Sequence, residues 1–352
     1  MSETAAPRVR FAFLVYLGRS GSTFLSRRLD AASRDLVVTP ELNFVVTAAR
    51  AGDAALRAMS SDALVRFVRH DLQIANLDLP DDELDRRIRA CAGGGVRELC
   101  EALVLAHAAR RGREPRVVVV KKDVAHRAAD ALVRTFPEAV FVHLQRDGRA
   151  VVNSLVHAES VYDPGHKLGR GDPVHAARLW LRQLDSVAAL AARMPERVVE
   201  VAYEKLVREP AAEAERLRGE LARRLGVELR PGAGVADFAV PERERSLHKL
   251  VSGPAIEERA DGWRDELGRA NGIAVEAIER DGLRRCGYPP HFLANAGAGE
   301  VARARLALEA KHLWLTARHV VWRGGIVLRL LFRDPGLATA RVREALFQRF
   351  GG

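Results

Sequence analysis

Short, almost wholly apolar runs punctuate the chain at Phe11–Leu17, Arg116–Val120, Ala139–Leu144 and Arg197–Val201, with Leu36–Val38 as a fifth candidate. Runs of this length without polar alternation read as strands covered on both faces. Between them lie patterns of helical period at Ser22–Ala32, Ala125–Thr135, Arg149–His157, Val174–Arg193 and Tyr203–Leu225. Strand–helix alternation of this kind predicts a three-layer α/β sandwich around a parallel sheet, with right-handed crossovers. Residues 42–113 carry no chemical motif. They read as a helical insert after the second strand, placed either to shape a site or simply to cap the structure.

Gly226–Val240 is rich in Gly and Pro and predicts a loop. Pro241–Gly262 is charged and irregular, Trp263–Cys286 regains a helical pattern, and Gly287-Tyr288-Pro289-Pro290 closes the unit. We therefore expect one α/β domain over residues 1–292 and a helical C-terminal extension over 293–352.

Composition adds little until it is joined to position. With 352 residues and a formal net charge of +10, the chain is long enough for a large core and favours anionic partners. Cys91, Cys100 and Cys286 match no metal or redox spacing, so a cytoplasmic setting is expected. The histidines are scattered, and no metal is expected. The apolar segment before Gly18 is too short for a signal peptide, and no stretch is long and uncharged enough to span a membrane.

Two places where a strand gives way to a helix carry the candidate chemistry. In the first, Gly18-Arg19-Ser20-Gly21-Ser22-Thr23 opens the helix after the first strand. A helix N-terminus offers unpaired N–H groups and a positive dipole end, which suit a phosphate. Gly21 lets the backbone wrap closely, Ser22 and Thr23 add hydroxyls, and Arg19 adds a charge. The segment describes either a phosphate seat or a tight turn with no ligand. A P-loop NTPase would need a lysine after the second glycine, and none follows Gly21.

In the second, Val140–Gln145 runs into Arg146-Asp147-Gly148-Arg149, and Ser154 lies eight residues after Arg146. Roughly 12 Å of helical rise separates them, a gap that an extended guanidinium spans, so both could grip one phosphate. The plain alternative is a surface arginine beside Asp147 and a serine facing solvent. Two phosphate seats at the carboxyl ends of different parallel strands fit a ligand with separate 5′ and 3′ phosphates, which ATP is not.

These residues resemble the sulfotransferases that use 3′-phosphoadenosine-5′-phosphosulfate (PAPS), most closely the tyrosylprotein-type and related bacterial enzymes. Arg19-Ser20-Gly21-Ser22-Thr23 is similar to the family's 5′-phosphosulfate loop, and Arg146 with Ser154 to its 3′-phosphate site. Tyr203-Glu204-Lys205-Leu206-Val207 resembles a segment whose tyrosine borders adenine. Trp263-Arg264-Asp265-Glu266-Leu267 and Gly287-Tyr288 resemble late landmarks. The resemblance runs in order from Phe11 to Tyr288. It implies a P-loop-like fold and metal-independent transfer of the sulfuryl group to a hydroxyl on a sugar, lipid, peptide tyrosine or small metabolite, leaving PAP. It implies Glu41, after the second strand, as general base, and Lys122 and Arg19 as catalytic cations, with Lys121 as an alternative to Lys122. Val124 stands where the related enzymes carry proline.

Other readings are a P-loop nucleotide kinase, for which Val117–Val120 and Asp123 mimic a Walker B segment, and a non-catalytic nucleotide- or nucleic-acid-binding protein. No nucleic-acid-binding motif is evident, so nucleic acid is not expected as a partner. In the tail, Leu313, Trp314, Ala317, Val320, Val321, Val327, Leu328, Leu331 and Phe332 share one helical face. Arg318, Arg323, Arg329 and Arg333 lie opposite, with Leu315, Trp322 and Ile326 intruding. Segment 312–333 therefore predicts either a helix packed on the core or on a second subunit, or a peripheral contact with the inner membrane face.

Overall fold

The computed structural model describes residues 9–159, 167–232, 238, 261–333, 339 and 342. Five parallel strands, β1 (Arg10–Tyr16), β2 (Leu36–Glu41), β3 (Val117–Lys121), β4 (Val140–Gln145) and β5 (Val198–Ala202), form a sheet in the order β2-β3-β1-β4-β5. Helices α1 (Ser22–Ala32), α2 (Phe44–Arg57), α3 (Ser61–Arg69), α4 (Asp81–Ala90) and α5 (Val96–Arg110) precede β3. Then come α6 (Ala129–Thr135), α7 (Gly148–His157), α8 (Pro173–Arg193), α9 (Tyr203–Arg208), α10 (Pro210–Leu225), α11 (Trp263–Glu266), α12 (Arg269–Arg285) and α13 (Ala298–Arg333).

The inner strands are apolar at nearly every position, with Arg10, Lys121, His143 and Gln145 as the exceptions, because successive side chains enter different cores. Phe11, Phe13 and Val15 face a layer built by α2, α5, α6 and α8, and Phe11 packs against Phe136 in a tilted pair with 4.2 Å between ring centroids. Ala12, Leu14 and Tyr16 face α1 and α10, through Leu25, Leu29, Leu217 and Leu221. Fully burying one such side chain contributes roughly 1.5–3 kcal/mol. The helical insert therefore supplies one of the sandwich's outer layers, with Phe44, Val45, Leu99 and Leu103 on the same core as Phe11. The predicted α/β sandwich with a central parallel sheet is what forms.

Crossover direction decides where the site lies. The step from β1 to β2 runs one way along the sheet with α1 on one face. Steps β2 to β3, β3 to β4 and β4 to β5 run the other way, with their helices on the opposite face. That is the arrangement a single handedness imposes. The chain thus leaves adjacent strands β1 and β4 in opposite directions, opening a crevice at their carboxyl ends. A third core joins α7, α8, α11, α12 and α13 beyond that edge, through Val151, Trp180, Trp263, Ile273 and Leu308.

Strand β2 runs further than its pattern suggests, through Pro40 to Glu41. Proline has no N–H for the ladder, but β2 is an edge strand, where that loss is tolerated. The register shifts between Val38 and Glu41, and the Thr39 hydroxyl accepts the Lys121 N–H at 3.2 Å. The Tyr203–Leu225 pattern breaks into α9 and α10, with Pro210 starting the second helix. Almost all of the charged segment Pro241–Gly262 lies outside the described residues.

Candidate active site

The turn after β1 is built to leave backbone donors open. Arg19 has φ 74° and Gly21 has φ 90°, and Gly21 caps α1 with no side-chain hydrogen bond. A non-glycine residue in the left-handed region costs on the order of 1–2 kcal/mol, so the strain at Arg19 marks a constrained loop. Gly21 is required twice over. A Cβ there would lie 2.3 Å from Cε2 of Tyr203, whose ring covers the loop.

The turn after β4 is closed instead. The Asp147 side chain caps α7 by accepting the Arg149 N–H at 3.0 Å. The Asp147 N–H donates to Glu204 Oε1 at 3.0 Å, and the Tyr288 hydroxyl donates to Glu204 Oε2 at 2.9 Å. Burial, and then the Glu204 charge, push the Tyr288 phenol above its ordinary range. Arg149 is buried, pairs with Asp147 at 2.7 Å and with Glu276, and stacks 4.2 Å above the Trp263 ring. Gly148 is needed because a Cβ would sit 2.5 Å from Oε2 of buried Glu279.

Arg146 faces the other way, into the crevice. Its guanidinium lies 4.3 Å from the centroid of the Tyr203 ring, and its Nη1 donates to the Arg19 carbonyl at 3.0 Å. Arg19 Nε donates to Ser154 Oγ at 3.0 Å. The two turns therefore interlock: Arg146 and Ser154 both touch the loop after β1. The Trp180 indole fixes the Arg146 carbonyl at 3.0 Å.

A third group of side chains closes the edge from the β2–β3 side. Glu41 ends β2; its Oε2 accepts the Tyr16 hydroxyl at 2.9 Å and its Oε1 lies 3.6 Å from Lys122 Nζ. Lys122 also pairs with Asp123 at 2.7 Å. Burial opposes the charge on Asp123, but Lys122, with help from the Val124 N–H and His126, holds the carboxyl below the usual range. Lys121 points to the opposite side of the strand end and donates to Thr23 Oγ1 at 3.1 Å. Both lysines are buried. Asp71 steadies the turn after Glu41 by accepting the Asn43 and Phe44 N–H groups, each at 2.9 Å. Val124, in place of proline, leaves an N–H that Asp123 Oδ1 accepts at 2.8 Å.

Such an edge can hold an anionic ligand on backbone N–H groups and two arginines, with a carboxyl group beside it. A family profile described as Sulfotransferase family matches residues 12–229, well over half of the chain. This chain is a member of the sulfotransferase family. The matched span holds both turns, Glu41, Lys122 and Tyr203, and ends before Trp263 and Tyr288.

Two solved sulfotransferase structures share the fold. The sulfotransferase domain from the curacin biosynthetic pathway is 18% identical, with a TM-score of 0.52 over 81% of this chain and 100% of its own. The sulfotransferase domain from the Synechococcus PCC 7002 olefin synthase is also 18% identical, with a TM-score of 0.53 over 82% of this chain and 98% of its own. No curated protein matches the chain.

In this sulfotransferase every site residue expected from sequence lies at the carboxyl edge of the sheet, on or beside the ends of β1, β2, β3 and β4, with Tyr203 following β5. Sequence reasoning missed Tyr16, whose only signal is a hydroxyl-tipped aromatic ending an aliphatic strand. It also missed Asp71, and it saw Glu204 and Tyr288 as landmarks without their mutual hydrogen bond. Among the described residues, no group of three or more His, Cys, Asp or Glu side chains is arranged to hold a metal ion. None of the helices described is long and apolar enough to cross a membrane.

Proposed function

We propose that the protein transfers the sulfuryl group of PAPS to a hydroxyl-bearing acceptor, with Glu41 as general base. The observation that carries this reading is the interlock of the two turns, Arg146 to the Arg19 carbonyl and Arg19 to Ser154. It sets the two turns side by side at one crevice, which supports binding of a nucleotide with separate 5′ and 3′ phosphates.

The uncapped first turn of α1 and the side chains of Arg19, Ser20, Ser22, Thr23 and Lys121 would receive the 5′-phosphosulfate. Arg146 and Ser154 would hold the 3′-phosphate, and Tyr203, held between Gly21 and Arg146, would border the adenosine. Bound PAPS supplies an activated sulfuryl group. In the transfer an acceptor oxygen forms a bond to sulfur while the bond from sulfur to the 5′-phosphate oxygen breaks, leaving PAP. Glu41 takes the acceptor's proton, an effect typically worth about 10²–10⁴-fold. Tyr16 and Lys122 fix the orientation of that carboxyl group. Arg19, Lys121 and Lys122 offset charge developing on the departing oxygen, so positioning and electrostatics do most of the work.

The test is a PAP titration of Glu41→Ala and Arg146→Ala, alongside sulfate transfer from radiolabelled PAPS into cell extract. Glu41→Ala should keep the wild-type PAP affinity and lose about 10²–10⁴-fold in transfer. Arg146→Ala should bind PAP about 10- to 100-fold more weakly, as expected for one charge-assisted contact. Unchanged PAP affinity in Arg146→Ala would remove the 3′-phosphate assignment.

A further inference from the structure

Helix α13 has two apolar stripes, and the protein buries the smaller one. Leu308 packs into the third core, alongside Val301 and Ala304, and Leu315 is buried one stripe position further along. Pairs from Arg178 to Glu309 and from His312 to Asp172, each at 2.6 Å, pin the helix to α8. Leu315, an intruder on the basic face in the sequence pattern, is thus the anchor, and half-buried Trp322 continues its stripe.

The larger stripe faces solvent. Leu313, Trp314, Val320, Val321, Leu328 and Phe332 are all exposed, Val321 at 77% and Phe332 at 84%. At 100° per residue these six positions fall within an arc of about 120°. From Ala310 to Arg333 the sequence contains Lys311, Arg318, Arg323, Arg329 and Arg333 and no Asp or Glu. The Arg318 guanidinium lies 4.9 Å from the centroid of the Trp314 ring, at the rim of the stripe.

We propose that this face of α13 docks in the interface of a membrane containing anionic lipid, with the helix lying in the membrane plane. An outward apolar stripe with exposed tryptophan and a basic margin is the pattern that inserts between headgroups while its cations meet anionic lipid. A span is excluded for the described helix, which is not apolar enough to cross. A second copy of the chain is a poorer occupant. Pairing two such stripes brings basic margins together with no carboxylate in the segment to neutralise them. The inference is independent of the sulfotransfer reading, since none of these residues belongs to the crevice.

The full chain is mixed with sedimenting vesicles of phosphatidylcholine alone or phosphatidylcholine with phosphatidylglycerol, at low and high salt, with vesicle-free controls. Wild-type protein should partition at least about tenfold more onto the anionic vesicles, and high salt should reverse much of this. The double variant Val321→Asp/Phe332→Asp should stay in the supernatant and keep the wild-type melting temperature, because both side chains are exposed. Wild-type protein that ignores anionic vesicles overturns the proposal, and so does equal sedimentation of the variant. A vesicle-free dimer in sedimentation velocity that the double variant dissolves would assign the face to a second copy instead.

Discussion

The turns after β1 and β4 look alike in sequence, each an apolar run ending in a basic, glycine-containing segment, yet they use opposite means. The first carries left-handed Arg19 and Gly21 and no side-chain cap, so its backbone is what it offers. The second spends its backbone donors internally. Asp147 caps Arg149, Glu204 takes the Asp147 N–H, and Arg149 is locked between Asp147, Glu276 and Trp263. What the second turn offers is side chains, Arg146 and Ser154. A seat made of backbone fails when conformation changes, whereas a seat made of side chains fails one contact at a time.

The largest effect should therefore come from the smallest substitution. Gly21→Ala adds one methyl group to a residue at φ 90° whose Cβ would meet the Tyr203 ring at 2.3 Å. The loop must rearrange or Tyr203 must leave, and leaving would free the face on which Arg146 rests. PAP affinity should fall more than about 100-fold, beyond the loss from any single side-chain truncation in the second turn. A calorimetric titration with near wild-type affinity would show that the first turn does not bind through its backbone.

The contrast between the turns was only partly legible in the sequence. Both strand-to-helix junctions were, because a buried strand is wholly apolar and a glycine–hydroxyl cluster is conspicuous after it. Helix α1 spans Ser22–Ala32, as the pattern predicts. Pro40 hid the extension of β2 to Glu41, since a proline reads as a strand end unless one knows that the strand is an edge. Whether a helix N-terminus is capped from afar was not legible at all. Glu204 reaches Asp147 across 57 residues, and Tyr288 reaches Glu204 across 84, and no local periodicity records such pairs. For α13 the helical wheel marked the larger stripe and left Leu315 as an intruder on the basic face, with no sign that Leu315 would be the buried one.

A smaller effect separates holding the loop from holding a phosphate. Ser154 Oγ accepts from Arg19 Nε at 3.0 Å, and its own proton remains available to an anion. Ser154→Ala should weaken PAP about fivefold, the scale of one neutral hydrogen bond, and leave adenosine 5′-phosphosulfate, which lacks the 3′-phosphate, nearly unaffected. Equal weakening of both ligands would mean that Ser154 serves the first turn by fixing Arg19, and the division between the two turns would blur.

The smallest expected effect on binding comes from His143, which lines the narrow cleft between Ser20 of the first turn and Arg146 of the second. Burial lowers its imidazole from 6.5 to about 4, so it is neutral near pH 7 and gives an anion no charge. His143→Leu should leave PAP affinity at neutral pH unchanged, and a large loss there would reveal a third group joining the two turns. The same residue should show in stability instead. Because its folded pKa is depressed, the unfolded chain binds the extra proton first, and stability falls as pH drops from 6.5 towards 4. Each such group contributes up to about 1.4 kcal/mol per pH unit in that window. His126 and His175, both lowered to about 3 chiefly by burial, titrate alongside it. Denaturant melts across this range should give His143→Leu a shallower acid slope than wild type, by as much as one proton. An identical slope would mean that His143 keeps its ordinary pKa, and that water reaches the cleft between the two turns.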